Sequence, residues 1–176
     1  MEENFNIALT HLWKAEGGYI NHTSDRGHET NMGITRAALE RYRGHTVTSE
    51  DVKNLSRKEA TAIYRRDYWE ANGFDQIENP RVAAVLFDQI VNRRASEVIR
   101  SLQVILAKKI ATDLEIDGIL GPLTAQALNK APPGKLIIAM VIEAQKSYFA
   151  IVERAPAQKV FLKGWIARTW SLLKMA

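Results

Sequence analysis

The sequence predicts an all-α fold with one small irregular or β-hairpin element after the first helix. Three observations carry that prediction. Apolar residues recur at helical spacing along most of the chain. Capping residues and turn pairs separate these segments. No stretch shows a convincing period of two, and the most polar stretch, residues 17–34, is where any strand belongs.

Phe5, Ala8, Leu9, Leu12 and Trp13 form the stripe of an amphipathic helix over residues 4–16, which Gly17-Gly18 stop. Thr35 is placed to N-cap a helix over 36–43, and Thr48 or Ser49 a short one over 49–54. Ser56 followed by Glu59 has the form of a capping box opening a helix over 57–70. Pro80 stands in the first turn of a helix over 80–92. Its Val82, Ala83, Val85, Leu86, Phe87 and Ile90 make it apolar on most faces, as a buried central helix is. Helices follow over 95–109 and 122–129, with turn pairs at Asp117-Gly118 and Gly121-Pro122. Residues 131–134 are a break, and two further helices cover 135–153 and 159–173.

A chain of 176 residues is one domain, or one with a small appendage. Hydrophobic residues at 46% and charged residues at 25% sit near the globular average, which argues against disorder and coiled coil. The absence of cysteine excludes disulfides, thiol catalysis and Cys-ligated zinc. The net charge of +4 favours polyanions such as nucleic acid, anionic membrane or wall polymer without choosing among them. The first residues, Met-Glu-Glu-Asn-Phe-Asn, lack the basic and apolar regions of a signal peptide. The longest apolar run, residues 136–142, is far short of the roughly 20 that span a bilayer. These features predict synthesis in the cytoplasm without stable membrane insertion.

Ala15-Glu16-Gly17-Gly18-Tyr19 is the first stretch with chemical promise. A carboxylate closing a helix meets the negative end of the helix dipole, and Trp13 and Tyr19 would desolvate it further. Both effects favour the protonated form that a general acid for glycoside cleavage needs. The same pattern also fits a surface Glu before a glycine C-cap. The next polar stretch, residues 25–35, offers Asp25 and Glu29 as second carboxylates and Thr30 as a hydroxyl to hold a water. These residues equally suit turns and caps. Tyr64, Tyr68 and Trp69 suit either stacking on sugar or packing in a core.

Asp113-x-Glu115-x-Asp117-Gly118 begins like a calcium loop, but Thr124 stands where the bidentate Glu is needed. His11, His22, His28 and His45 lack zinc-ligand spacing. No phosphate-binding glycine loop and no serine nucleophile elbow occur.

Taken in order, Glu16-Gly17-Gly18-Tyr19 and Asp25-x-Gly27-x-Glu29-Thr30-Asn31-x-Gly33-Ile34-Thr35 resemble the amino-terminal motif of the glycoside hydrolase family 108 N-acetylmuramidases, which are phage endolysins and secretion-associated lysozyme-like proteins. The resemblance continues through Leu55-x-x-x-Glu59-Ala60, Ile63-Tyr64-x-x-x-Tyr68-Trp69, Phe87-Asp88-x-x-Val91-Asn92, Leu102-Gln103, Asp117-Gly118-x-x-Gly121-Pro122-x-Thr124 and Gly164-Trp165-x-x-Arg168, covering nearly the whole chain.

The resemblance implies a lysozyme-like fold and hydrolysis of the β-1,4 bond between N-acetylmuramic acid and N-acetylglucosamine, with Glu16 as catalytic acid. It implies Asp25 and Thr30 as catalytic partners, with Glu29 a rival. Tyr19, Glu29, Asn31, Tyr68, Trp69 and Asn92 are expected to bind substrate. No metal or cofactor is expected. Residues 1–92 are expected to form the catalytic lobe and residues 93–176 a peptidoglycan-binding-like region packed on it. The expected partner is peptidoglycan, reached through a holin or another export route by a monomer acting in the periplasm.

Two departures stand out: Arg26-Gly27-His28 where the family has Pro-Gly-Gly, and Arg93-Arg94 where a small residue and Gly are usual. A non-catalytic wall-binding protein is the alternative reading. A DNA-binding protein would need a recognition helix, for which the segment around Arg65-Arg66 is the sole candidate.

Overall fold

The computed structural model describes residues 2–15, 17–21, 29–110 and 113–176. Among these the architecture is helical with a small antiparallel sheet: α1 (Glu2–Ala15), β1 (Ile20–Asn21), β2 (Glu29–Asn31), β3 (Ile34–Thr35), α2 (Arg36–Arg43), α3 (Ser49–Lys53), α4 (Arg57–Ile63), α5 (Pro80–Asn92), α6 (Ala95–Lys109), α7 (Pro122–Lys130), α8 (Pro133–Arg154) and α9 (Lys159–Leu172).

The helix starts follow their caps. Thr35 Oγ1 accepts from the Ala38 amide, and Thr48 forms a complete capping box with Asp51. At Ser56 only half of the expected box forms. Its side chain accepts from the Glu59 amide, while the Glu59 carboxylate turns to Arg43 Nε and Nη2 at 2.9 and 3.0 Å. Arg43 also reaches Asp51 at 2.8 Å, so one guanidinium joins α2 to both following helices. Pro133 opens α8 two residues before the expected start, because a proline fits the first helical turn without losing a bond.

Helix α5 is the central element expected of the sequence, with every residue from 82 to 90 buried. It packs on α1, α6 and α8. An aromatic cluster fills the space beneath it. Trp69 lies 5.3 Å from Phe5, 4.8 Å from Phe74 and 5.5 Å from Phe87, ring centre to ring centre. The segment expected as one helix over 57–70 changes winding at Tyr64. Residues Tyr64–Trp69 are π-helical and Glu70–Asn72 form a 3₁₀ turn. The i→i+5 winding lets Tyr64 and Trp69, five residues apart, both enter the core with no exposed surface.

The sheet order is β1-β2-β3, with Ile20 opposite Thr30 and Thr30 opposite Thr35. Met32 and Gly33 connect β2 to β3 with φ of 50° and 74°, the doubly left-handed conformation of a two-residue hairpin turn. That conformation costs a non-glycine residue roughly 1–2 kcal/mol. The Tyr64 hydroxyl donates to the Met32 carbonyl at 2.9 Å and holds the turn against the π-helical segment.

Candidate active site

Glu16 and Asp25 lie outside the described residues. Described residues on either side of them in sequence, Tyr19, Glu29 and Arg36, form a clamp. Tyr19 Oη donates to Glu29 Oε1 at 2.5 Å. Arg36 donates to Glu29 Oε2 from Nε at 2.8 Å and from Nη2 at 2.5 Å, and Nη2 also reaches Ser49 Oγ at 2.7 Å. The Tyr19 hydroxyl, helped by Arg36 and Ser49 and opposed by burial, holds the Glu29 carboxyl below the usual range. Lys53 sits 5.4 Å from the Tyr19 ring centre. The stretch that follows Glu16 in sequence is thus fastened to β2.

Strand β2 separates its residues by the two-residue period. Glu29 and Asn31 are buried, whereas Thr30, on the opposite face, is half-buried. Asn31 uses both hydrogens of Nδ2 on the Val52 and Lys53 carbonyls, at 2.9 and 2.8 Å. Glu29 and Asn31 were expected to touch substrate. The structure commits them instead to holding the hairpin, with 4% and 7% of their surface exposed.

Trp69 needs the same correction. It is fully buried, and its indole N–H donates to Asp75 at 3.0 Å, so it has no face for a sugar. Tyr68 and Asn92 are brought together, lining one open cleft of about 380 Å³. Tyr68 connects to the end of α1 through rings: Trp13 to Tyr64 at 5.6 Å and Tyr64 to Tyr68 at 5.4 Å. Sequence reasoning missed Arg36 and the bond from Tyr64 to the hairpin turn. Arg36 was detectable, since pairing Thr30 with Thr35 places position 36 beside position 29. The bond from Tyr64 to Met32 had no local signal.

Residues 9–93 match the family Glycosyl hydrolase 108. This chain carries a glycoside hydrolase family 108 domain. Residues 97–170 match the family Predicted Peptidoglycan domain. The structure of Brucella abortus SagA is similar, with a TM-score of 0.82 and 28% identity over 99% of this chain and 94% of that chain. No curated protein matches this chain significantly.

The family 108 domain is a lysozyme-like peptidoglycan hydrolase domain, and the chain is a glycoside hydrolase. A partly buried ion pair connects it to the peptidoglycan domain. Arg168 on α9 donates from Nε to both oxygens of Asp88 on α5 at 3.1 and 3.0 Å. The Asp117-Gly118 turn of the peptidoglycan domain is built internally. Gln103 Nε2 donates to Asp117 at 2.7 Å and to Thr124 at 3.1 Å, while its Oε1 accepts from the Gly118 amide at 2.8 Å. Gly118 has φ of +79°, and a Cβ there would stand 2.9 Å from the Ser96 carbonyl. Among the described residues no cluster of metal-ligating side chains occurs, and no helix is long and apolar enough to cross a membrane.

Proposed function

We propose that the family 108 domain acts as an N-acetylmuramidase in which Glu16 protonates the glycosidic oxygen. Water held by Asp25 and Thr30 attacks the anomeric carbon from the opposite face, so the released chain ends in a reducing muramic acid. The pairing of Ile20 with Thr30 carries this reading, because it sets Thr30 against a strand that begins four residues after Glu16. Glu29, whose oxygens are taken by Tyr19 and Arg36, is left to brace the hairpin rather than to activate water. On this reading Tyr68 and Asn92, which line one open cleft, bind the glycan.

On this reading residues 1–92 form the catalytic lobe and residues 93–176 hold the wall. The protein works as a monomer, is made in the cytoplasm and reaches the periplasm through a holin or another export route. The test is digestion of purified peptidoglycan by wild type and Glu16→Gln, with mass analysis of the released sugar ends. Wild type yields reducing muramic acid ends. Loss of the proton donor lowers the rate by about 10²–10⁴-fold.

A further inference from the structure

The cleft beside Tyr68 carries a charge pattern that glycosidic cleavage does not require. Arg41, Arg93 and Arg94 line it together with Tyr68 and Asn92, and Asp67 is an acidic residue of the lining. Asp67 is already committed to Arg66, at 2.5 and 3.1 Å. Arg41 is exposed and has no acidic partner among the described residues. Arg94 has Glu97 at 3.9 Å, and with side chains 78% and 65% exposed this pair is screened by water.

Arg93 donates from Nη2 to Gln89 Oε1 at 2.6 Å and lies 5.6 Å from the Tyr148 ring centre. Its buried Nε has no acceptor among the described residues. Burial pushes its guanidinium below the ordinary arginine value. The cleft also meets the start of α6, where Arg94 is the N-cap and no side chain caps the helix. Three guanidinium groups around one opening repel one another until an anion neutralises them.

We propose that this cleft reads an oxyanion carried by the wall, a free carboxylate of the stem peptide, and thereby sets which peptidoglycan the enzyme prefers. The placement suits that role. Two ring contacts connect Tyr68 to Trp13, three residues before Glu16. A stem peptide leaving a sugar bound over Tyr68 would therefore pass the arginines. The proposal rests on the hydrolase reading above. A phosphodiester of a wall polymer offers similar oxygens, and the test separates the two sources.

The experiment measures kcat/KM of the full chain on three preparations of one wall: native, with its carboxylates converted to amides, and stripped of phosphate polymers. It compares wild type with the double variant Arg41→Ala, Arg94→Ala, both positions being exposed. Amidation is expected to lower the wild-type value about tenfold, through KM. The double variant is expected to show the same loss on native wall and no further loss on amidated wall. Phosphate removal is expected to change nothing. Equal cutting of native and amidated wall by wild type would overturn the proposal. So would an equal loss by the variant on both walls, or sensitivity to phosphate removal alone. Sedimentation with the same walls supplies a second readout. Arginine-dependent preference for native wall without any cutting would sink the hydrolase reading and leave the cleft assignment standing.

Discussion

The Tyr19 hydroxyl and the Arg36 guanidinium take opposite oxygens of Glu29, the former at 2.5 Å and the latter at 2.5 and 2.8 Å. The clamp joins the stretch after α1 to β2 and to the start of α2. Removing the hydroxyl with Tyr19→Phe leaves a buried carboxylate oxygen without its donor. Small misplacements of a catalytic constellation can cost up to about 10²-fold in rate. Tyr19→Phe is therefore expected to lower kcat roughly ten- to a hundredfold, with KM little changed. Steady-state kinetics on soluble glycan fragments check this.

Acid should loosen the same region. Thr48, through its hydroxyl and amide, together with Arg43, pulls Asp51 down to about 2. Hydrogen bonds from Tyr19 and from Arg43 likewise depress Glu29 and Glu59. Each of these carboxyls binds its proton less readily folded than unfolded. The stability they contribute is complete above their ordinary values near 4 and is lost as pH falls toward 2. Thermal melts should show a falling melting temperature across that window. Thr48→Ala should make the fall shallower, because it removes the largest cause of the Asp51 shift.

Trp69 and Tyr68 should separate stability from binding. Trp69 fills the aromatic core, so Trp69→Ala is expected to cost about 3–5 kcal/mol of stability. Tyr68 lines the cleft and is half-buried, so Tyr68→Ala should raise KM roughly two- to tenfold at a smaller stability cost. Chemical denaturation and kinetics on the same two variants decide the matter.

The Asp88–Arg168 pair offers a test of how the two matched regions depend on each other. Asp88→Ala removes the carboxylate that the Arg168 guanidinium meets on α5 and is expected to cost about 3–5 kcal/mol. Replacing both residues with apolar ones of similar volume should recover much of that loss. Denaturation of the two single variants and the double variant measures the coupling.

Most of the helical framework was legible because its signals are local. Thr35, Thr48, Ser56 and Pro80 mark helix starts within their own few residues. The buried run over 82–90 shows in its composition. The change of winding at Tyr64 was hidden, since a π-helical turn has nearly the same residue pattern as an α-helical one. The site was partly legible. Tyr68 and Asn92 line one cleft, but Trp69 beside Tyr68 points into the core, and the sequence does not say which of two adjacent aromatics faces out. Glu29 and Asn31 read as site residues because polar side chains in a polar loop look available. Their burial depends on Arg36 and on the Val52 and Lys53 carbonyls, which only the folded chain brings near.

In the proposed mechanism Glu16 donates the proton that cleaves a muramyl bond. Its most direct test is end-group mass analysis of purified peptidoglycan after treatment with wild type and with Glu16→Gln, both confirmed as folded by their melting curves. Reducing muramic acid ends from wild type, with release slowed by about 10²-fold or more in the variant, is the predicted result. Reducing glucosamine ends, freed peptides, or equal release by the two proteins would contradict it.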